Sequence, residues 1–233
     1  MEKKTKKVRK KKFSFKKFLL LSLFLYLIIN LFCYTINLKI KNIYITGNNL
    51  VSDNEIIEKA KIKNYPSILK ANSLLLKKRI LKIDLIENVN IEKNIFGKLT
   101  IRVKEYKPLY KRQDNIILNN GKTTNKKIIG IPTLTSDLDK TIEKKFIKSF
   151  SKVNLNSIKL ISEIEYCPSL SNDVKIDNER FLAYMNDGNR VYFNLLNIEN
   201  LNLYPKINSS LDNEKGFIYL DSSNSENFIF TPF

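Results

Sequence analysis

The chain has 233 residues and a formal net charge of +18, from 41 Lys and Arg against 23 Asp and Glu, and it contains no histidine. The lack of histidine excludes His-dependent catalytic triads, histidine general bases and His-ligated metal sites. Residues 1–17 hold half of the net charge, ten bases and one acid. The rest is scattered, without the dense basic and aromatic stripe of nucleic-acid-binding proteins, so we expect no nucleic-acid partner.

The N-terminal region predicts a single-pass anchor in the cell membrane. The nineteen residues from Phe18 to Ile36 carry no charge, and as a transmembrane helix they span about 28 Å, close to the roughly 30 Å hydrocarbon core of a bilayer. The basic segment 1–17 predicts a cytoplasmic tail that touches anionic lipid, with residues 37–233 outside the membrane. The alternative is a cleaved signal peptide, but its apolar region is usually about 7–15 residues long, and Thr35–Lys39 offers no small-residue cleavage site.

The first segment after the span follows the order strand, helix, helix, strand, strand. Ile40–Ile45 predicts a short strand, and Ser52–Glu55 has the spacing of a capping box at a helix start. A second helix begins where Asn72 or Ser73 can cap it. Two strands with alternating apolar residues then flank a glycine turn. One face of this sheet is apolar and two amphipathic helices would cover it, so we expect an α+β module over residues 38–107.

Residues 108–233 predict a mostly antiparallel β domain with two helices. Apolar residues at helical spacing between Leu138 and Val153 predict the first helix, and those between Leu201 and Leu211 predict a shorter one. The turn signals Asn119–Gly121 and Asn186–Asn189 predict hairpins. Further strands are predicted at Ile158–Tyr166, Val174–Ile176, Phe181–Met185, Arg190–Asn194, Phe217–Leu220 and Phe228–Phe230.

Several short motifs occur in a defined order along the chain. They are I-x-I-x-G-N at Ile43–Asn48, V-x-E-x-x-P at Val103–Pro108, D-G-x-x-V at Asp187–Val191, and the closing segments Gly216–Leu220 and Phe228–Phe233. Each motif alone is weak. Together with the basic tail and the span, the set resembles the FtsQ/DivIB family of bacterial cell division proteins. That family has a cytoplasmic tail, one transmembrane helix, a POTRA domain and a β domain, which the resemblance places here at residues 38–107 and 108–233.

The resemblance implies a non-catalytic scaffold that links divisome proteins at the division septum through contacts outside the membrane, mainly with the FtsB/DivIC and FtsL pair. The last strands usually form that contact, and a terminal edge strand suits it because its unpaired backbone groups can pair with a partner strand. The candidate partner-binding residues are Phe217, Tyr219, Phe228 and Phe230. The family often has Asp where this chain has Tyr219. The alternative, that some of the four face the core, stays open at this point.

Two other functions compete with this interpretation. Ser67-x-x-Lys70 and Ser52-Asp53-Asn54 match fragments of the penicillin-binding-protein signature, but the triplet precedes Ser67, contrary to the order in those enzymes. A POTRA-bearing adaptor in secretion or envelope assembly would usually carry a long C-terminal barrel, for which residues 108–233 are too few. We therefore predict a protein that is not an enzyme and that has no cofactor, no metal and no small-molecule substrate.

Overall fold

The computed structural model describes residues 15–171, 174–221 and 228–233. Helix α1, Phe15–Asn37, contains the predicted span and extends past it at both ends. Its side chains from Phe15 to Tyr34 are exposed and apolar on average, with a mean hydropathy of 2.0. The 23 residues make a helix about 35 Å long, so α1 fits a membrane anchor. Most of the predicted basic tail, residues 1–14, lies outside the described residues.

Contacts between Cα atoms divide the chain into two units. The first unit contains the described residues up to Thr46, together with Asp53–Ile80 and Val89–Arg102. The second contains Gly47–Ser52, Leu81–Asn88 and the described residues from Val103 onward. Each unit has its own set of buried apolar side chains.

Five elements follow α1 in the predicted order. They are β1 (Asn42–Thr46), α2 (Asp53–Ala60), α3 (Ser73–Ile80), β2 (Ile86–Lys93) and β3 (Lys98–Glu105). The three strands form one sheet in the order β1-β3-β2, with β1 parallel to β3. Asn72 is the residue that caps α3, because its Oδ1 accepts the backbone N–H of Leu74 at 2.9 Å. The predicted strand–helix–helix–strand–strand module is confirmed.

The strands of the first unit are apolar on one face, as their alternation predicts. Leu99 and Ile101 of β3 are fully buried, and so are Ile56 of α2 and Leu76 of α3. The residues between them on the strands, such as Thr100, line an open groove on the opposite face. Burying these apolar side chains is the main stabilising contribution to the unit.

The V-x-E-x-x-P motif has a structural role in the second unit. The carboxylate of Glu105 accepts the backbone N–H groups of Asn49–Val51 at 2.8–3.0 Å. Gly47 begins the loop with φ +84°, and a Cβ at this position would lie 2.1 Å from the carbonyl oxygen of Val103. The motif and the glycine together therefore fix the path of the loop that follows β1.

The second unit contains a nine-stranded sheet in the order β14-β13-β12-β11-β8-β7-β4-β5-β6. Five of its eight strand pairs are antiparallel and three are parallel. Its strands are β4 (Pro108–Arg112), β5 (Asn115–Leu118), β6 (Thr123–Thr124), β7 (Thr133–Leu134), β8 (Ile161–Tyr166), β11 (Arg180–Met185), β12 (Arg190–Asn194), β13 (Gly216–Tyr219) and β14 (Ile229–Pro232). A separate two-stranded sheet pairs β9 (Ser169–Ser171) with β10 (Val174–Asp177).

Helix α4, Lys140–Phe150, supplies the aromatic centre of the second core. Phe146 lies 5.0 Å from Phe150 and 4.7 Å from Phe181 of β11, measured between ring centroids, and all three rings are fully buried. Asp139 caps the helix by accepting the backbone N–H of Thr141 at 2.8 Å. The first predicted helix of the β domain is therefore confirmed. The second predicted helix corresponds to a 3₁₀ turn, Ile198–Leu203, that continues into an α-helix, Tyr204–Ser209.

The strand predicted to begin at Ile158 begins instead at Ile161. Residues Leu155–Ile158 form a short helix, α5. Asn154 caps it, since its Oδ1 accepts the backbone N–H of Ser157 at 2.8 Å. The local capping interaction decides the conformation of this apolar segment, which alternation alone does not resolve. The helix Tyr204–Ser209 is accordingly α6.

Candidate partner-binding surface

The last two strands lie at one end of the large sheet. β13 is parallel to β12 on one side and antiparallel to β14 on the other. Within the described residues, β14 is the terminal strand of the sheet order, so one of its edges has no neighbouring strand there. Its side chains are largely exposed, including Ile229 at 59%, and Phe233 beyond the strand is 66% exposed. The predicted edge strand is therefore present.

The four predicted residues divide between the two faces of the sheet. Ile218, between Phe217 and Tyr219, is fully buried in the core, so the two aromatic side chains of β13 lie on the outer face, half-buried. Phe230 is paired with Ile218 in the register of β13 and β14. Both Phe230 and Phe228 pack against the core cluster. Two of the four residues thus lie on the outer surface and two face the core.

The outer face carries a continuous set of stacked rings. Tyr192 of β12 stacks with Phe217 at 5.9 Å and with Tyr219 at 5.2 Å between centroids. Phe233 meets Phe217 edge-on at 5.2 Å. We call Tyr192, Phe217, Tyr219 and Phe233 the aromatic ladder. Stacked and edge-on rings at these separations are the arrangements that aromatic pairs prefer.

Two arginines lie over the aromatic ladder. The guanidinium carbon of Arg190 is 5.4 Å from the centroids of both Phe217 and Phe233. Arg180 lies 3.8 Å from the centroid of Tyr192, and its Nε donates to a carboxylate oxygen of Asp221 at 2.6 Å. Such contacts favour both the ring and the cation, and they leave a basic edge on an aromatic surface.

The D-G-x-x-V hairpin holds β13 in place. Asn189 is 1% exposed. Its Oδ1 accepts the backbone N–H of Gly216 at 3.0 Å, and its Nδ2 donates to the hydroxyl of Tyr204 at 3.1 Å. The same hydroxyl donates to Asp187 at 2.7 Å. Burial, together with the hydrogen bond to Asp187, raises the pKa of Tyr204 well above its ordinary value.

Gly216 permits the close approach of β14. A Cβ at this position would lie 2.2 Å from the carbonyl oxygen of Thr231 and 2.8 Å from a ring carbon of Phe230. The backbone of Gly216 does not have a positive φ. Glycine is therefore required here for space between the strands, not for a left-handed conformation.

Sequence reasoning missed half of the aromatic ladder and both arginines. Arg190 and Tyr192 are two residues apart in β12, so their side chains lie on the same face of the sheet. This face adjoins Phe217 and Tyr219 because β12 pairs with β13. The paired residues are 27 positions apart in the chain, so the sequence alone does not reveal the contact. The D-G-x-x-V motif and the segment Gly216–Leu220 predicted β12 and β13, but not which of their side chains lie on the same face.

The residues considered for catalysis have structural partners. Ser67 Oγ accepts the backbone N–H of Lys70 at 3.3 Å, as in a turn. Across the ranges that the structure describes, no group of three or more Cys, Asp or Glu residues is arranged to hold a metal ion.

Comparisons with known proteins agree with the order of elements. A model of the FtsQ-type POTRA domain matches residues 38–106. The cell division protein DivIB of Bacillus subtilis (strain 168) is 29% identical over 196 residues, which cover 78% of this chain and 72% of that protein. DivIB of Brevibacillus brevis is 25% identical over 205 residues, which cover 83% and 76%. The chain thus contains a match to the FtsQ-type POTRA domain and is similar to DivIB proteins over about four fifths of its length.

A solved structure of the major extracytoplasmic domain of DivIB from Geobacillus stearothermophilus is also similar to part of the chain. It is 22% identical, covers 47% of this chain and 96% of the solved chain, and superposes with a TM-score of 0.36. The likeness to the FtsQ/DivIB family rests on the sequence matches and on the order of elements. In this chain, the anchor-like helix α1 precedes the POTRA match, and the sheet bearing the aromatic ladder follows it.

Proposed function

We propose that this protein is a bacterial cell division scaffold that links divisome proteins at the septum through contacts outside the membrane, and that it is not an enzyme. Its relatives are named cell division protein DivIB. The observation that carries the proposal for this chain is the edge of β14 beside the aromatic ladder, where the described part of the chain places no neighbouring strand. Proteins bind one another through such features without needing a reactive group.

The edge of β14 offers backbone groups to a partner strand. An added strand gains main-chain hydrogen bonds along the edge, while side-chain contacts on the adjoining face supply specificity. The exposed side chains of Ile229 and Phe233 lie on or next to this strand. The edge therefore suits an extended segment of a partner of the FtsB/DivIC or FtsL type.

The aromatic ladder supplies anchor area next to that edge. Aromatic and arginine side chains dominate the binding energy of many protein interfaces. Phe217 and Tyr219 are the ladder residues we assign to direct contact. Phe228 and Phe230 pack on the core, so their proposed role is to hold β14 in position and not to contact the partner. Arg190, which is exposed, favours a partner segment that carries acidic residues.

The location of the protein is part of the proposal. We propose that the basic tail lies in the cytoplasm against anionic lipid and that the POTRA module and β domain lie outside, with boundaries at residues 38–107 and 108–233. Concentration of the protein at the septum would follow from binding other divisome proteins. A fluorescent fusion of the full chain should gather at midcell during division.

Co-purification from solubilised membranes tests the partner contact. The full chain, a Phe217→Ala/Tyr219→Ala variant and a control, Leu196→Ala, are compared for the division proteins they retain. Leu196 is 84% exposed in the same unit and outside the aromatic ladder. The double variant should lose most of its partner while the control keeps it. Equal recovery with all three chains would show that the contact lies elsewhere.

A further inference from the structure

The turn between β2 and β3 presents two apolar side chains to solvent. Ile95 and Phe96 are 72% and 77% exposed. The turn is ordered by Asn94, whose Oδ1 accepts the backbone N–H groups of Phe96 and Lys98 at 3.0 Å each. Adjacent isoleucine and phenylalanine side chains on a well-held turn are unfavourable in water and favour a surface that covers them.

This turn adjoins the chain that leaves α1. The backbone N–H groups of Lys41 and Asn42 donate to the carbonyl of Gly97 at 2.7 and 3.2 Å. Lys41 is four residues beyond Asn37, the last residue of α1, and four residues extend at most about 14 Å. The headgroup region on each side of a bilayer is about 5–8 Å thick. The length of the chain alone therefore keeps the turn close to the membrane surface at the carboxyl end of α1.

A second exposed segment is fixed to the same stretch of chain. The backbone N–H of Ile40 donates to the carbonyl of Pro66 at 3.0 Å, and that of Ile68 donates to Leu38 at 2.8 Å. Leu69, next in the chain, is 51% exposed. The loop before α3 and the turn between β2 and β3 thus flank the residues that emerge from the membrane.

The three segments that meet here are basic. Residues 37–45, 61–75 and 93–98 contain seven lysines and no acidic residue. The lysines are Lys39, Lys41, Lys61, Lys63, Lys70, Lys93 and Lys98. Some already have a contact: Lys93 donates to two backbone carbonyls, and Lys63 lies 3.5 Å from Glu58. Others, including Lys39 and Lys70, have exposed side chains, and each basic residue near an anionic lipid surface contributes favourably to binding.

We propose that this face of the POTRA module docks onto the membrane leaflet at the carboxyl end of α1. Ile95, Phe96 and Leu69 enter the interface, and Lys39 and Lys70 contact anionic headgroups; we call these five residues the juxtamembrane patch. Apolar side chains surrounded by lysines are typical of surfaces that lie on membranes. The proposal rests on α1 spanning the membrane and is independent of partner binding at β14. It gives the POTRA module a fixed orientation on the bilayer.

The chain contains no tryptophan, so one introduced tryptophan reports on a single site. The full-length Phe96→Trp variant is reconstituted in vesicles of phosphatidylcholine and phosphatidylglycerol whose acyl chains carry bromine. We expect a blue-shifted emission maximum and loss of most of the intensity. The matched control is Ile129→Trp, at a position that is 93% exposed in the second unit; its emission should stay close to that in water.

The second part of the experiment varies the charge of the lipid. Quenching of Phe96→Trp should weaken in vesicles of phosphatidylcholine alone, and it should weaken in anionic vesicles when Lys70→Gln is added. Emission from Phe96→Trp that is no more shifted or quenched than that of the control would overturn the proposal. So would a shift that occurs only after division proteins are added, because the patch would then be a protein contact.

Discussion

The guanidinium of Arg180 is held between an aromatic ring and a carboxylate, with Tyr192 3.8 Å from its central carbon and Asp221 2.6 Å from its Nε. Less than a fifth of the Arg180 and Asp221 side chains is exposed. Tyr219 stacks on Tyr192, the ring that Arg180 covers, at 5.2 Å between centroids. A carboxylate beside this part of the aromatic ladder therefore comes from Asp221.

Removing this arginine should weaken both the fold and the surface. Arg180→Ala leaves the largely buried Asp221 without its ion-pair partner and removes the cation from Tyr192, so we expect a loss of about 1–3 kcal/mol in the free energy of unfolding. Urea unfolding of the full chain in detergent micelles measures it. Arg190→Ala removes a cation from the aromatic ladder and leaves the ion pair between Arg180 and Asp221 intact, so it should cost less. An equal cost would contradict the importance assigned to Asp221.

The buried amide of Asn189 should matter more than an exposed one. Asn189→Ala leaves the Gly216 N–H without its acceptor and removes the amide donor to the Tyr204 hydroxyl, which keeps its hydrogen bond to Asp187. We expect a loss of about 1–3 kcal/mol in the free energy of unfolding, the usual cost of one buried polar group left unpaired. Asn178→Ala, at an exposed position, is the control and should change the unfolding free energy little. Similar effects from the two changes would contradict the role given to Asn189.

The space beside Gly216 should be essential for β14. Gly216→Ala places a methyl group where the carbonyl oxygen of Thr231 lies 2.2 Å away, so β14 must move outward. We expect faster amide hydrogen exchange in Ile229–Pro232. Gly121→Ala strains a turn at φ +78° where a Cβ meets nothing within 4 Å, and it should leave exchange in β14 unchanged. Unchanged exchange in the Gly216 variant would show that the strands are not so tightly packed.

Stability should fall at alkaline pH through Tyr204. Its folded pKa is raised above the ordinary 10.0 by burial and by Asp187. Below pH 10 the Tyr204 hydroxyl keeps its proton in both the folded and the unfolded state, so its contribution to the free energy of unfolding is fully present. Above pH 10 only the folded state keeps the proton on the Tyr204 hydroxyl. The free energy of unfolding then falls by about 1.4 kcal/mol per pH unit until the pKa of the folded state is reached. Unfolding between pH 9 and 11 should show a shallower fall for Tyr204→Phe; the same slope in both chains would contradict this.

Sequence patterns predicted the elements that depend on neighbouring residues. They missed the contacts that depend on the pairing of strands far apart in the chain. The apolar run of α1, the cap of α3 by Asn72 and the alternation of β3 are local, and the structure has these features close to where they were predicted. The faces of Phe217 and Phe230 depend on which strands flank β13, and the partnership of Asn189 with Gly216 joins residues 27 positions apart. No local periodicity encodes either relationship.

Amide hydrogen exchange on the purified complex tests the central claim most directly. The full chain is compared alone and with the division proteins that co-purify with it. If a partner strand adds to the edge of β14, exchange in Ile229–Pro232 should slow strongly on binding, with smaller changes near Tyr192 and Tyr219 of the aromatic ladder. Slower exchange confined to other parts of the chain, with β14 unchanged, would contradict the account.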